Sequence, residues 1–337
     1  MTEMLRILPR PQIDADAWNT CVTASPHRIT YGFSWYLDIV LPAPGWKWVG
    51  LVIMNEAGGY QAVMPIPLRR KSIAGITYEW VVHQPLFCHF LAVFSRDPEL
   101  DSRPFFQLMN QQFRYGSVVN LSQKPANTTS FDTLRVLTTH TLDLSVNYER
   151  IYQNYTYDRK VNLRRALRMN WVIVDSTNPD PLLNLFRENH ADTISGGVAD
   201  WAYEMLRNLT NELNQRGLAT LRYATRDGRI EAGALFVQEG NRVIYLFNAA
   251  SEIGRKGNAR TLLIDQMIRE KAGGHYLEGE PCLFDFESPG KQSIRRFYQS
   301  FGAVEEPFWT MHWSRLTKLE RLAQRIRNVI KKAPVTT

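Results

Sequence analysis

Two acidic residues, Asp285 and Glu287, follow a short apolar stretch near the C-terminal end of the 337-residue sequence. Leu283, Phe284 and Phe286 are aliphatic or aromatic, which predicts a short buried strand, and the Pro289-Gly290 pair ends it. In open α/β sheets ligands bind at the carboxyl ends of strands, so both carboxylates are placed where chemistry is expected. The structural alternative is that Asp285 caps the next helix and Glu287 is a solvated rim residue.

The residues after these carboxylates predict a helix over 292–300. Gly302 follows at a C-cap-like position, and a new strand is expected from Val304. This helix carries Tyr298, the third residue of the group that we take as candidates for catalysis.

A Gly-containing basic loop at 251–259 lies between a predicted strand and a predicted helix at 258–271. The first backbone amides of a helix have no intrahelical acceptor, and the helix dipole favours anions there, so the loop is a candidate anion seat. A plain solvated turn is the alternative interpretation. The candidate cofactor-binding residues are Asn248, at the end of the preceding strand, and Arg255, Lys256, Gly257, Asn258 and Ala259.

A second basic segment occupies 158–168, where the apolar residues can be buried but the cations cannot all be. Clustered guanidinium groups suit phosphate or nucleotide recognition, because each can make paired hydrogen bonds to oxygens. We therefore take Arg159, Arg164 and Arg165 as candidate substrate-binding residues. A solvated helix face is the alternative.

The elements that position these residues follow the same order in the two halves of the chain. Helices at 14–24 and 32–40 precede strands at 46–54, 60–68 and 77–83, a helix at 103–114 and strands at 117–121 and 134–144. In the second half, helices at 181–191 and 198–215 precede strands at 219–225, 230–238 and 242–248, and then the elements described above.

This order and two motifs resemble the bacterial Fem-type aminoacyltransferases and the related GNAT-fold acyltransferases. The motifs are Asp285-Phe286-Glu287-Ser288 and Phe297-Tyr298-Gln299-Ser300-Phe301-Gly302-Ala303. The resemblance implies an α/β (α+β) fold with two tandem GNAT-like domains, each a mixed, mainly antiparallel sheet flanked by helices. We expect the domains at 1–145 and 146–314, followed by a basic amphipathic tail helix at 315–337.

The resemblance also implies direct transfer of an acyl or aminoacyl group onto an amine, without a covalent enzyme intermediate. Glu287 or Asp285 is then the general base through water, backbone amides near Asn248 stabilise the oxyanion, and Tyr298 donates a proton. The expected donor is acyl-coenzyme A bound at the 254–259 loop, or alternatively aminoacyl-tRNA. The loop keeps Gly257 and Ala259 of the family pattern and has Gly254 at its usual Arg or Gln position.

Composition, charge and the motifs that are missing bear on which classes of function are expected. Six of the seven net positive charges lie after residue 314, so the body is close to neutral and duplex nucleic acid is not expected as a ligand. Three scattered cysteines favour a reducing compartment without a structural metal, and no apolar run is long enough to span a bilayer, so a cytoplasmic protein is expected. Hydrolase, kinase and dehydrogenase motifs are missing from the sequence.

Two hypotheses about the function of the protein remain open. The enzyme hypothesis has a small-molecule amine or an envelope precursor as acceptor, near the inner face of the membrane. Its rival is a catalytically degenerate GNAT-fold protein that binds a phosphorylated ligand or an anionic membrane. The apolar stripe of the tail at 315–332 fits a membrane surface, the protein body or a partner helix.

Overall fold

The computed structural model describes residues 5–56, 58–73, 76–125, 131–194, 196–274, 281–288 and 290–317. The chain divides into two compact units, and each is built from separate stretches of sequence. The first unit contains Met1–His27, Leu41–Val136 and Phe308–Thr337, and the second contains Arg28–Val40 and Leu137–Pro307. Among the described residues, no helix combines the length and apolar character needed to cross a bilayer.

The first unit is built on a mainly antiparallel sheet with the strand order β1-β2-β3-β4-β6 and then the end of β13. A short 3₁₀ turn follows β1, and β5 pairs with β3. The core forms around Trp18, whose ring lies 5.1 Å from that of Trp48. The elements are β1 (Arg6–Pro9), α1 (Ala15–Thr23), β2 (Trp46–Met54), β3 (Tyr60–Ile73), β4 (Ile76–Val82), β5 (Phe94–Ser95), α3 (Arg103–Gln112) and β6 (Tyr115–Leu121).

Two strands begin in one unit and end in the other, namely β7 (Thr133–Asp143) and β13 (Val304–Ser314). In the first unit, the last residues of β13 pair antiparallel with β6. In the second unit, the last residues of β7 pair antiparallel with β12. Each unit therefore completes its sheet with a segment that is distant in sequence.

The second unit has the strand order β7-β12-β11-β10-β9-β8. Its pairs are antiparallel except for β11 and β12, which run parallel. The further elements are α2 (Ser34–Val40), α4 (Tyr148–Gln153), α5 (Tyr157–Leu167), β8 (Val172–Ser176), α6 (Asp180–Asn189), α7 (Asp200–Gln215), β9 (Ala219–Arg226), β10 (Arg229–Glu239), β11 (Arg242–Ala250), α8 (Glu252–Lys256), α9 (Ala259–Lys271), β12 (Leu283–Asp285) and α10 (Gln292–Gln299).

The fold class expected from the sequence is confirmed: each unit has a mixed, mainly antiparallel sheet with helices packed on it. In the second unit α9 buries Leu263, Ile264 and Met267 in a core that also contains Phe284 and Phe301. Burial of this apolar area supplies the main driving force for folding of the unit.

The units have bounds that differ from residues 1–145 and 146–314, because the segment Arg28–Val40 packs with the second half of the chain. Helix α2 contacts α7, and the Arg216 guanidinium lies 4.3 Å from the centre of the Trp35 ring. Arg28 also forms an ion pair with the buried Glu239. Of the expected tail helix at 315–337, residues from 318 onward lie outside the described part of the chain.

The expected loop at 251–259 contains a short helix, α8, whose N-cap Ser251 accepts a hydrogen bond from the Gly254 amide. Gly254 is buried against β10, and a Cβ atom at this position would lie 2.1 Å from the carbonyl oxygen of Glu231. That separation is far below van der Waals contact and involves backbone, which side-chain rotation cannot relieve. The position therefore excludes the Arg or Gln of the family pattern.

We predict that Gly254→Ala lowers the free energy of unfolding by about 1–3 kcal/mol, the range typical of overpacking. Gly254→Gln is expected to cost at least as much. The matched control is Gly290→Ala, since a Cβ atom at Gly290 meets no atom within 4 Å. Urea unfolding of the three variants measures the difference, and equal stability of Gly254→Ala and the control would contradict the packing described here.

Candidate active site where strands β11 and β12 part

The first candidate carboxylate, Asp285, lies at the end of β12 and is fully buried. Its Oδ2 atom is 2.5 Å from Nη1 of Arg242 on β11, and its Oδ1 atom accepts a hydrogen bond from the Thr139 hydroxyl on β7 at 3.1 Å. Oδ1 also accepts the Glu287 amide at 2.9 Å. The carboxylate thus connects β7, β11 and β12, and it fixes the turn that follows β12.

Strands β11 and β12 separate just beyond Asp285. Their parallel pairing ends at Ile244 and Asp285, while β11 continues to Ala250. The chain after β12 stays with β7 instead, because the Phe286 amide donates to the His140 carbonyl at 3.0 Å and Ser288 Oγ lies 2.8 Å from His140 Nδ1. The backbones of β11 and of residues 286–288 no longer pair with each other beyond this point, and we call the region between them the cleft.

Glu287 lies at this cleft, and both its backbone conformation and the environment of its carboxyl group are energetically unfavourable. Its φ of 45° is in the left-handed region, which a non-glycine residue adopts only when its surroundings impose it. Its Oε1 atom is sealed from solvent and has no hydrogen-bond partner within the described residues. Burial without a compensating partner raises the pKa of Glu287 to about 8, so the carboxyl can exchange a proton near neutral pH.

Two tyrosines belong to this part of the site, and Tyr298 is the one that interacts with Glu287. Tyr298 on α10 stacks on Phe286 with 4.6 Å between ring centroids, and its ring is 6.2 Å from that of Tyr245 on β11. Burial and, to a smaller degree, the charge of Glu287 raise the pKa of Tyr298 to about 12. Burial also raises the pKa of Tyr245, whose hydroxyl is sealed and unpartnered among the described residues. Both phenols therefore remain protonated.

Arg260, in the first turn of α9, connects these groups to the rest of the cleft. Its Nη1 atom donates to Asn248 Oδ1 at 3.0 Å, and its positive charge favours the ionised forms of Tyr245 and Tyr298. The same charge opposes protonation of His190, whose pKa is lowered mainly by burial and then by Arg260 and Arg255. We call Asn248, Arg260, His190, Tyr245, Tyr298 and Glu287 the Arg260 cluster.

His190 engages the end of β11. Its Nε2 atom accepts the Ala250 amide at 3.3 Å, so the neutral imidazole carries its proton on Nδ1. The Ala250 amide is one of the backbone donors that we expected near Asn248, and this ring occupies it. Neither His190 nor Arg260 was among the candidates from the sequence.

The turn between α8 and α9 has a fixed conformation. Trp171 Nε1 donates to the Gly257 carbonyl at 3.0 Å, and Asn258 has φ 56° before the buried Ala259 begins α9. Arg255 donates from Nη1 to the Ala250 carbonyl at 2.8 Å. Lys256 instead forms an exposed ion pair with Glu252. The α9 amides, Arg255 and Arg260 therefore form the electropositive side of the cleft.

The three arginines of α5 lie in different environments. Arg159 is buried, donates from Nη1 to the Thr261 hydroxyl at 2.6 Å and has its guanidinium 4.2 Å from the centre of the Phe297 ring. Burial lowers the pKa of Arg159 to about 10. Arg164 and Arg165 are exposed on the same helix. Arg159 thus joins α5, α9 and α10, whereas the other two face solvent.

All three cysteines are buried and free. Within the described ranges, no group of three or more His, Cys, Asp or Glu side chains is arranged to hold a metal ion.

We predict that burial of Glu287 makes folding stability depend on pH. The carboxyl has a pKa of about 8 in the native protein and 4.5 normally, so its contribution is most favourable below about pH 4.5 and is lost as the pH rises through about 8. Relative to Glu287→Gln, the wild type should lose up to a few kcal/mol between these limits, at about 1.4 kcal/mol per pKa unit.

Thermal unfolding from pH 5 to about pH 8.5 tests this expectation, since it brackets most of the titration. Glu149→Gln, at an exposed residue in the first turn of α4, is the control for loss of one carboxylate. Parallel curves for the wild type and Glu287→Gln would show that Glu287 is not buried as described.

Comparison with known proteins agrees with this geometry. Residues 154–277 match a family model described as an acetyltransferase (GNAT) domain. This stretch includes β11, the turn before α9 and Arg260. No curated protein matches the chain. The match supports acyl transfer as the general class of activity.

Solved structures resemble the chain over nearly its whole length. A protein named FemX has 12% identity and a TM-score of 0.64, covering 95% of this chain and 99% of its own. The C-terminal domain of a putative lysylphosphatidylglycerol synthetase from Agrobacterium fabrum has 14% identity and a TM-score of 0.51, covering 94% and 96%. A tandem GNAT protein from the clavulanic acid biosynthesis pathway has 12% identity and a TM-score of 0.50, covering 92% and 98%. Residues 154–277 thus match a GNAT acetyltransferase domain, and the whole chain has a tandem GNAT fold that resembles the Fem-type acyltransferases.

Proposed function

We propose that the second unit transfers an acyl or aminoacyl group from an activated donor directly onto an amine. The observation that carries this proposal is the Oε1 atom of Glu287, which is buried in the cleft without a partner among the described residues. A carboxyl oxygen that is sealed without a partner is costly, and a carboxyl group with a pKa near neutrality is typical of a general base.

Glu287 suits this role better than Asp285. Both oxygens of Asp285 are engaged, by Arg242 on one side and by Thr139 and the Glu287 amide on the other. With a pKa of about 8, Glu287 is partly ionised at neutral pH and can accept a proton from an ammonium group or from a bridging water. In this proposal Asp285 positions the turn and Glu287 performs the chemistry.

Tyr298 supplies the second proton transfer. Its pKa of about 12 keeps the phenol protonated, and it lies within electrostatic influence of both Glu287 and Arg260. As the amine nitrogen bonds to the acyl carbon, the bond from that carbon to the leaving sulfur or oxygen breaks. The amine proton passes to Glu287, Tyr298 protonates the leaving group, and solvent restores both residues. In this proposal the backbone near Asn248 and the Arg260 guanidinium stabilise the developing oxyanion.

The electropositive side of the cleft fits the phosphates of a carrier. The first-turn amides of α9 have no intrahelical acceptors, and Arg255 and Arg260 flank them. Acyl-coenzyme A is the donor that we propose for this position, with aminoacyl-tRNA as the alternative, because both carry an activated acyl group on a phosphorylated carrier. Arg255, Asn258 and Ala259 are the proposed contacts, whereas the side chain of Lys256 is occupied by Glu252.

For the acceptor we propose a small-molecule amine or an amine of an envelope precursor. An envelope component agrees with the name of one structural neighbour, a domain of a putative lysylphosphatidylglycerol synthetase. The exposed Arg164 and Arg165 are proposed to contact the phosphate groups of such a precursor. The named neighbours share only 12 to 14% of residues with this chain, so these choices rest on the chemistry of the cleft.

Calorimetric titration of the purified protein with acetyl-coenzyme A is the first test of the donor. Saturable binding should weaken in Arg255→Ala and in Arg260→Ala, and persist in Lys256→Ala. Absence of binding at millimolar ligand would reject the coenzyme A donor and direct the assay to charged tRNA. Binding of either donor without turnover on any amine would favour the non-catalytic binding protein.

We predict that Glu287→Gln slows acyl transfer by about 10²–10⁴-fold, the usual contribution of a general base, while donor binding is kept. The measurement is release of free thiol from acetyl-coenzyme A with a panel of amines, or transfer of labelled amino acid if the donor is tRNA. Tyr298→Phe should reduce the rate most for poor leaving groups.

Two variants separate chemistry from folding in this assay. Asp285→Asn keeps the shape of the residue, weakens the Arg242 pair and should lower the melting temperature more than Glu287→Gln does. Glu149→Gln is again the control for a lost carboxylate. An unchanged rate in folded Glu287→Gln protein would overturn the assignment of the base.

A further inference from the structure

The hairpin formed by β3 and β4 in the first unit carries a group of cations that acyl transfer does not use. The group surrounds the described base of the hairpin on both of its faces. We call it the basic collar, and its members are Trp46, Lys47, Arg69, Arg70, Lys71 and Trp80.

The collar lies where the hairpin extends past its neighbouring strand. The register of β2 with β3 ends at Trp46 and Arg69, and the Arg70 amide donates to the Gly45 carbonyl at 2.9 Å. From Lys71 onward, β3 has β4 as its strand partner. Arg70 lies opposite Trp80 and Lys71 lies opposite Glu79. The hairpin therefore continues as a two-stranded arm, and the side chains at its base alternate between its two faces.

Each tryptophan ring in the collar has a cation over its face. The Arg69 guanidinium is 5.4 Å from the centre of the Trp46 ring, and the Lys47 ammonium is 4.2 Å from that of Trp80. Residues opposite each other in an antiparallel pair share a face, so Trp46 and Arg69 lie on one side of the arm and Trp80 and Arg70 on the other. Lys47, Arg69 and Arg70 are exposed.

The arm is predominantly positively charged. The collar holds four cations, the only acid between Arg69 and Trp80 is Glu79, and the sequence from Ser72 to Tyr78 is uncharged. Lysine and arginine beside tryptophan are the residues found where proteins meet the headgroup layer, because each combines an apolar body with a polar or charged end. Anionic lipid attracts such cations.

Nucleic acid fits the collar less well. Binding of single strands relies on bases that stack on exposed aromatic faces, and here a cation lies over each of the two rings. A membrane surface needs no such stacking. Its dense negative charge also matches cations on both sides of a projecting arm.

We propose that the basic collar docks the first unit on the surface of an anionic phospholipid bilayer. This inference is independent of the chemistry at Glu287, because the collar lies entirely in the other unit. Its occupant is a lamellar anionic surface, and a single phosphorylated small molecule does not meet its geometry.

Cosedimentation of the full-length protein with vesicles tests the proposal. Binding is expected to vesicles that contain phosphatidylglycerol, to be weak with pure phosphatidylcholine, and to fall as salt is raised. Arg69→Gln/Arg70→Gln should weaken binding by roughly 30-fold, since each cation near an anionic surface contributes about 1 kcal/mol. Lys47→Gln should weaken it by roughly fivefold on the same scale.

Two matched variants keep the test specific. Arg150→Gln/Arg229→Gln removes the same charge from exposed residues of the second unit, and Lys331→Gln/Lys332→Gln removes it from the basic C-terminal sequence. Both should bind vesicles more tightly than the collar double variant does. Melting temperatures establish that each variant is folded.

Three results would overturn the proposal. The first is equal loss of binding in the Arg150→Gln/Arg229→Gln variant, which would show that only total charge matters. The second is loss confined to the C-terminal variant. The third is absence of vesicle binding together with collar-dependent binding of tRNA, which would identify the collar as a nucleic-acid surface.

Discussion

The carboxylate of Asp285 is the interaction on which the candidate site depends. It is fully buried, and its attraction to Arg242 is joined by hydrogen bonds from Thr139 and from the Glu287 amide. A charge in such surroundings is tolerable only when its oxygens are satisfied, and here they are satisfied by the elements that border the cleft. The same contacts therefore neutralise the cost of burying Asp285 and fix the point at which β11 and β12 part.

Glu287 has the opposite character, although it is only two residues away. It carries a left-handed φ and a sealed carboxyl oxygen without a partner in the described chain. Both features oppose folding, and neither is compensated locally. Such a residue persists when neighbouring contacts over-determine its position, as Asp285, Thr139 and His140 do here. Functional residues commonly occupy such positions, because reactivity is gained there at the expense of folding stability.

The sequence predicted the order of elements well, because most strands and helices have clear periodicity and turn residues at their ends. Helix α9 and strands β9, β10 and β11 lie within two residues of their expected bounds. The short β8 and α8 were missed, since five residues give too little periodicity. The segment 28–40 was assigned by chain order, whereas its packing on α7 depends on contacts distant in sequence.

The sequence predicted only part of the candidate site. Asp285, Glu287 and Tyr298 stand out in the sequence, but their different surroundings come from partners far along the chain. Arg242 precedes Asp285 by more than forty residues, and no local pattern connects them. Arg260 and His190 lie in an ordinary helix and at the end of another, so their sequence context carries no signal for the cleft.

The two strands shared between the units have a consequence for synthesis on the ribosome. A chain emerges from its N-terminus and its early domains normally fold first. Here the first unit needs Phe308–Ser314 to complete its pairing with β6. The unit that is made first therefore cannot finish its sheet until nearly all of the second has been translated. During that interval the outer edge of β6 is an exposed template for pairing, which makes this strand the point at which the nascent chain is most open to misassembly or to protection by chaperones.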